Sequence, residues 1–321
     1  MQLSTLFTGL LLAGLATTAS AQTFTDPGAY NNFIVAEQRA MLKKNLRYIS
    51  KAAHSDNEKK IDAKRLDLVK QTELSLSKLG KMPAFQDDKG FKDQSIEAFL
   101  QLLKVYSEDY KAVDMLAATR TATIENMEQY FRLQEIAERK LQVVNDSVDA
   151  AQQRFAKRHG MTTTQDPEGK RLAQYMAQVS EVNSYQHRVF LAEFRIEKAS
   201  AKLTDAMNAQ DAAAFETARL QLLEDSKTAL SALATVPAFR GKDAQYREAA
   251  KNLVNHYAGM CQNQFVKMQE LMQRKDALSK ADVTAFNGYI NYFNQNNQKY
   301  IDAYNRASHQ FMAAYVPVFN D

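Results

Sequence analysis

Met82-Pro83-Ala84-Phe85 returns 154 residues later as Val236-Pro237-Ala238-Phe239, and the surrounding sequence returns with it. Upstream at the same spacing, Ile61, Arg65, Leu66 and Leu68 fall on Phe215, Arg219, Leu220 and Leu222. Thr72, Leu76 and Leu79 then fall on Ser226, Leu230 and Leu233. Downstream the spacing grows to 155, pairing Phe91 with Tyr246 and Tyr110 with Phe265. It reaches 156 where Asp146, Ala151 and Phe155 meet Asp302, Ala307 and Phe311. Register kept over so long a block reads as two copies of one domain. A solenoid would repeat every few tens of residues.

The recurring tripeptide has a physical role. Proline cannot continue a helix without losing a backbone bond and clashing one turn back, and it pushes the preceding residue out of helical geometry. The phenylalanine two residues on therefore has a fixed direction. Pro83, Phe85, Pro237 and Phe239 are read as structural, each phenylalanine plugging one end of a helical bundle.

The chain has only 10 Gly and 5 Pro in 321 residues, and its apolar residues recur at 3.5-to-3.6 spacing, which predicts an all-α protein. Four helices are expected in each copy. In the first they run over about 27–53, from a capping box at Ser55 and Glu58 to Gly80, over about 91–118, and over about 123–158. The second copy repeats the plan, with helices starting near Asp211, Tyr246 and Asp282. Its opening helix carries extra residues after Pro167 that read as a rigid connection, with Asn183-Ser184 open to a kink. Asp26-Pro27 and Asp166-Pro167 are read as N-caps followed by proline at the first helical position. The predicted architecture is two tandem homologous four-helix bundles: 22–160, an extension over 161–180, and 181–321.

Residues 1–21 read as a cleaved signal peptide. Leu6–Ala16 is a short apolar run, and Ala19-Ser20-Ala21 is a small-x-small cleavage site. Export to the periplasm, the cell surface or the medium is expected, and no later stretch is apolar enough to span a membrane. Cys261, alone in the chain, allows no internal disulfide and is expected to be a buried, inert thiol. The net charge of +4 forms no basic block, so nothing points to nucleic acid.

Chemical motifs are sparse. A carboxylate-bridged metal site in a bundle needs Glu-x-x-His, but His187, His256 and His309 have Ser184, Leu253 and Arg306 three positions before them. His54 and His159 fall at helix ends and are expected to be solvated. There is no Gly-x-Ser-x-Gly, no His-Glu-x-x-His and no glycine-rich phosphate loop. Neither a metal nor another cofactor is expected, and no catalytic residue. Glu37 and Glu193 lie on the inward stripes of their copies' first helices and read as boundary residues whose stems cover apolar surface. The last helix carries Phe286, Tyr289, Tyr292, Phe293, Tyr300, Tyr304, Phe311 and Tyr315. Their counterparts in the first copy are nearly all apolar, so these are expected in the core, with Asn297 a buried polar residue that fixes register.

The leader, the segment Ala29-Tyr-Asn-Asn-Phe-Ile-Val-Ala-Glu-Gln38 and the helical chain behind it resemble a leptospiral-type family of bacterial surface proteins of unknown biochemical function. That resemblance implies an envelope location and assigns no site residue. The sequence leaves two functions open. One is a non-catalytic envelope protein binding an unknown envelope partner at its surface. The other is a small-molecule carrier with a pocket inside or between the bundles.

Overall fold

The computed structural model describes residues 24–55, 57–162, 167–316 and 318–319. The expected leader, the Asp166 cap and Pro317 lie outside these residues. Among them the protein is all-α. In chain order the helices are α1 Pro27–His54, α2 Glu58–Gly80, α3 Gly90–Lys104, α4 Tyr110–Ala117, α5 Ile124–Arg158, α6 Pro167–Asn208, α7 Ala212–Ala234, α8 Gln245–Gln262, α9 Gln264–Gln273 and α10 Lys280–Tyr315. Helices α1–α5 enclose one apolar core around Tyr30, Phe85, Phe99 and Phe155, and α6–α10 enclose another around Phe215, Phe239, Tyr246 and Phe311.

The ends of the helices follow their capping chemistry. Asp26 accepts the amide of Ala29 at 2.7 Å, with Pro27 in the first turn. The Ser55–Glu58 capping box does not form. Asn57 caps α2 instead, accepting from Lys60 N at 3.0 Å, while Ser55 terminates α1. Asn lies one position before the helix and is at least as good a cap as Ser, so the nearer residue wins. A reciprocal box does form at α10, between Ser279 and Asp282.

Both Pro-Ala-Phe segments lead into a tight turn closed by paired backbone bonds, Phe85 with Asp88 and Phe239 with Asp243. Gln86 and Asp87 have φ of 48° and 67°, and Arg240 and Gly241 have 51° and 71°. The second turn holds one more residue, Lys242, before its aspartate. That residue accounts for the growth of the spacing from 154 to 155. The carbonyl before each proline is bonded by a cation of the following helix. Lys92 Nζ reaches Met82 O at 3.0 Å, and Arg247 Nη1 reaches Val236 O at 2.6 Å.

The third helix is interrupted in each half, where the sequence predicts continuity. In the first half a π-helical turn, Val105–Asp109, joins α3 to α4. In the second, Asn263 at φ −124°, ψ −83° separates α8 from α9. Such defects loosen the helical ladder and leave carbonyls wanting donors. Arg65 Nη1 donates to Tyr106 O at 3.4 Å, and Arg219 Nη1 to Cys261 O at 2.7 Å. Each guanidinium is held by an acid one turn earlier, Asp62 or Glu216. The arginine pair visible in the sequence thus stabilises two helix defects that apolar periodicity cannot reveal.

Helix α6 runs unbroken for 42 residues, passing through Asn183-Ser184 without interruption. Its early turns lie against the first half: Glu168 pairs with Arg39 and Lys43, and Met176 packs on the first core. From Val179 onward it belongs to the second core. The extension is therefore a shared wall between the halves.

Candidate functional site

The Pro-Ala-Phe residues sit at the core ends. Phe85 is 2% exposed and meets the rings of Tyr30, Phe155 and His159, while Phe239 is 3% exposed against Tyr185, Phe311 and Tyr315. Tyr30 OH donates to Pro83 O at 3.3 Å, tying α1 to the turn. His159 is not solvated. Its Nε2 lies 3.0 Å from Asp88 and its ring packs on Phe85 and Phe155, because the turn brings a carboxylate to the end of α5. Burial works to raise the Asp88 carboxyl, but the Gly90 amide, His159 and Arg158 outweigh it and hold it below the usual range.

Glu37 and Glu193 are more deeply placed than boundary residues. Glu37 is 7% exposed, accepting from Ser75 Oγ at 2.8 Å and Lys78 Nζ at 2.7 Å. Glu193 is 8% exposed, beside the Tyr304 hydroxyl, which in turn lies 3.0 Å from that of Tyr246. Burial, with Glu197 adding to it, pushes the Glu193 carboxyl up to about 8. The two acids belong to different cores and do not meet. In α10, Phe293, Tyr304 and Phe311 are buried, and Phe286, Tyr289, Tyr300 and Tyr315 are half-buried against the same core. Tyr292 is 48% exposed and points outward, since the core-facing stripe of α10 is narrower than its aromatic content. Asn297 is half-buried, with its Oδ1 sealed and unpartnered. Cys261 is fully buried, and burial pushes its thiol up to about 12, so the reactive thiolate is suppressed.

None of these residues borders the cleft where the halves meet. That cleft, of about 340 Å³, is bounded by α1, α4, α5 and α6 with Met312 of α10. It lies beside a small apolar cluster formed by Met127, Phe131 and Phe194. Its walls are aromatic. Tyr48 and Tyr110 stack at 4.6 Å, and the Phe131 ring stacks on His187 at 3.7 Å. The Arg120 guanidinium lies 5.3 Å from the centre of the Tyr130 ring. On one side Glu138 bridges the halves, accepting Ser180 Oγ at 2.8 Å and Asn183 Nδ2 at 2.9 Å.

Most polar groups of the cleft are already satisfied. Tyr48 OH donates to Asp114 at 2.9 Å, and Tyr110 OH to Asn45 at 3.1 Å. Burial raises the ionisation of both phenols well above its ordinary value, so they are neutral. Two groups are left over. His187 is 6% exposed, and its Nδ1 is sealed without a hydrogen bond. The Gln134 amide donates its nitrogen to Tyr130 OH at 3.0 Å and leaves Oε1 sealed and unpartnered. Burial pushes the His187 imidazole down to about 4, so it is neutral at physiological pH.

Sequence reasoning tested His187 only as a metal ligand and passed over Gln134 and Arg120. Nothing in the helical periodicity marks them, because the cleft arises from the packing of two units rather than from a motif. Among the described residues, no three His, Cys, Asp or Glu side chains gather closely enough to hold a metal ion. No helix among them is long and apolar enough to cross a membrane. No family model, curated protein or solved structure matches this chain.

Proposed function

We propose that this is an exported, non-catalytic helical protein of the bacterial envelope that binds a small molecule in the cleft between its halves. The observation that carries the reading is the cleft itself: aromatic walls at a junction between two cores, with the polar residues Arg120, Gln134, Glu138 and His187 among its lining. Ligand sites are mostly apolar concavities at such junctions, with a few placed polar groups.

The alternative, a surface that binds a partner protein, predicts a continuous exposed apolar patch. The large exposed apolar residues are instead distributed over six helices, among them Leu74 in α2, Leu100 in α3, Met115 in α4 and Leu220 in α7. On the same reading, the two cores are homologous four-helix bundles from one duplicated unit. The matched turns, helix interruptions and arginine clamps support that descent. The apolar run and cleavage site ahead of Gln22 support export, as does the likeness to leptospiral-type surface proteins.

Native mass spectrometry of protein taken from its own host tests the function. A co-purifying small molecule, lost on denaturation, is the expected result, with the mature chain starting at Gln22. A retained protein and no small molecule would favour the surface-partner reading.

A further inference from the structure

From the charges on its lining we infer the class of guest the cleft takes: a small zwitterion with a flat apolar middle, its anionic group on Arg120 and its cationic group on Glu138. This rests on the cleft being a binding site, as proposed above.

With His187 neutral, Arg120 and Glu138 are the charged side chains of the lining, and their signs are opposite. Neither forms an ion pair with another described residue. Arg120 lies in the connection after α4. Its Nη1 donates to Ala117 O at 2.8 Å, since the last carbonyls of a helix accept readily from a basic side chain. That bond anchors the guanidinium 5.3 Å from the centre of the Tyr130 ring, on the wall of the cleft. Its other nitrogens are neither bonded within the protein nor sealed, so part of a planar fork of donors stays open to an anion.

Glu138 is held from the opposite half. Ser180 Oγ and Asn183 Nδ2 each take one of its carboxylate oxygens. Both donors are uncharged, so they aim the group without neutralising it. Each carboxylate oxygen accepts more than one bond, which leaves capacity for an ammonium.

The spacing of the two ends sets the size of the guest. Tyr130 and Glu138 are eight residues apart on α5, ~12 Å along its axis. A charge-assisted bond of ~2.8 Å at each end leaves roughly 6 Å for the guest, about the span of one para-substituted benzene ring. A space of about 340 Å³ holds such a molecule, and the stacked Tyr48–Tyr110 pair and Tyr130 present flat faces to it. A guest with one charge would strip water from the other wall charge and give it no partner, and an uncharged guest would do so to both. A zwitterion answers both.

4-(Aminomethyl)benzoic acid is the probe. Its methyl ester, which lacks the carboxylate, and its N-acetyl derivative, which lacks the ammonium, are the controls. By calorimetry at pH 7 the wild-type protein is expected to bind the zwitterion at least about tenfold more tightly than either control. Arg120→Gln should remove the advantage over the ester and keep that over the N-acetyl compound, and Glu138→Gln should do the reverse. Equal affinities in the wild type, or an advantage over one control alone, would overturn the zwitterion inference and leave the cleft reading standing, with no variant needed to decide it. An advantage over both controls that survives both substitutions would also overturn it, by placing the selecting charges elsewhere. If none of the three binds at millimolar concentration, the cleft reading fails with it.

Discussion

Replacing Glu193 by Gln should change how stability depends on pH in a way that no surface acid would. Burial, reinforced by Glu197 one turn along, pushes this carboxyl from 4.5 up to about 8, with the Tyr304 hydroxyl pulling weakly the other way. At neutral pH the folded protein therefore holds a proton that the unfolded chain releases, so raising the pH favours unfolding. The contribution of Glu193 is complete below about pH 4.5, declines between about 4.5 and 8, and is fully lost above that. At ~1.4 kcal/mol for each pKa unit, the loss is ~3 kcal/mol by pH 7 and ~5 kcal/mol above pH 8. His187 acts in the opposite sense. Its folded value is depressed to about 4, so its contribution is present above about 6.5 and is lost as pH falls toward 4. The two slopes nearly cancel in the wild type between about pH 4.5 and 6.5, so the stability of that protein alone shows Glu193 only from about pH 6.5 to 8. The difference between variant and wild type isolates Glu193, because His187 is common to both proteins. Urea unfolding followed by circular dichroism from pH 4.5 to 8.5 should show the Gln variant gaining steadily, by ~3 kcal/mol between the lowest pH and pH 7. A difference that stays constant across the range would refute a protonated Glu193.

Phe85→Ala and Phe239→Ala should each cost ~3–5 kcal/mol in denaturant melts, since both rings are almost wholly buried among other aromatics; losses below ~1 kcal/mol would show that the rings do not pack. Cys261 should be inert to thiol reagents in the native protein and react stoichiometrically in denaturant, whereas fast native reaction would contradict its burial and raised pKa. Gly241→Ala should cost ~1 kcal/mol by thermal melting, because φ of +71° strains any side chain while nothing lies within 4 Å to clash with it. An unchanged melting temperature would place that cost elsewhere.

The sequence made the helices legible because apolar spacing and caps are local properties, and Pro-Ala-Phe was legible because proline acts on its immediate neighbours. The interruption at Val105–Asp109 was not legible. A π-helical turn keeps Val105 and Tyr106 buried, and its stabilising partner, Arg65, comes from another helix. Glu193 sits on an apolar stripe, but its depth depends on Tyr304, more than 100 residues away. His187 and Phe131 each look like ordinary inward-facing residues of their own helices. Only the meeting of α5 with α6 stacks one on the other and makes a cleft. Periodicity says which face of a helix is dry and is silent on which neighbour dries it.

The continuity of α6 constrains the rate at which anything can enter that cleft. Bends in long helices occur at Pro, at Gly and Ser pairs, or at bulges. From Lys170 to Asn208 α6 contains neither Pro nor Gly, and it is built into both cores. The halves thus have no hinge along their common wall, and the cleft cannot open as a jaw. Exchange then needs at most side-chain rearrangement among the lining residues, Arg120 and Glu138 among them. Rotamer motions of this kind run on picosecond-to-nanosecond scales when exposed, against microseconds to milliseconds for domain closure. A guest should therefore come and go at a rate set by the bonds it makes inside, with no slow conformational phase preceding its capture.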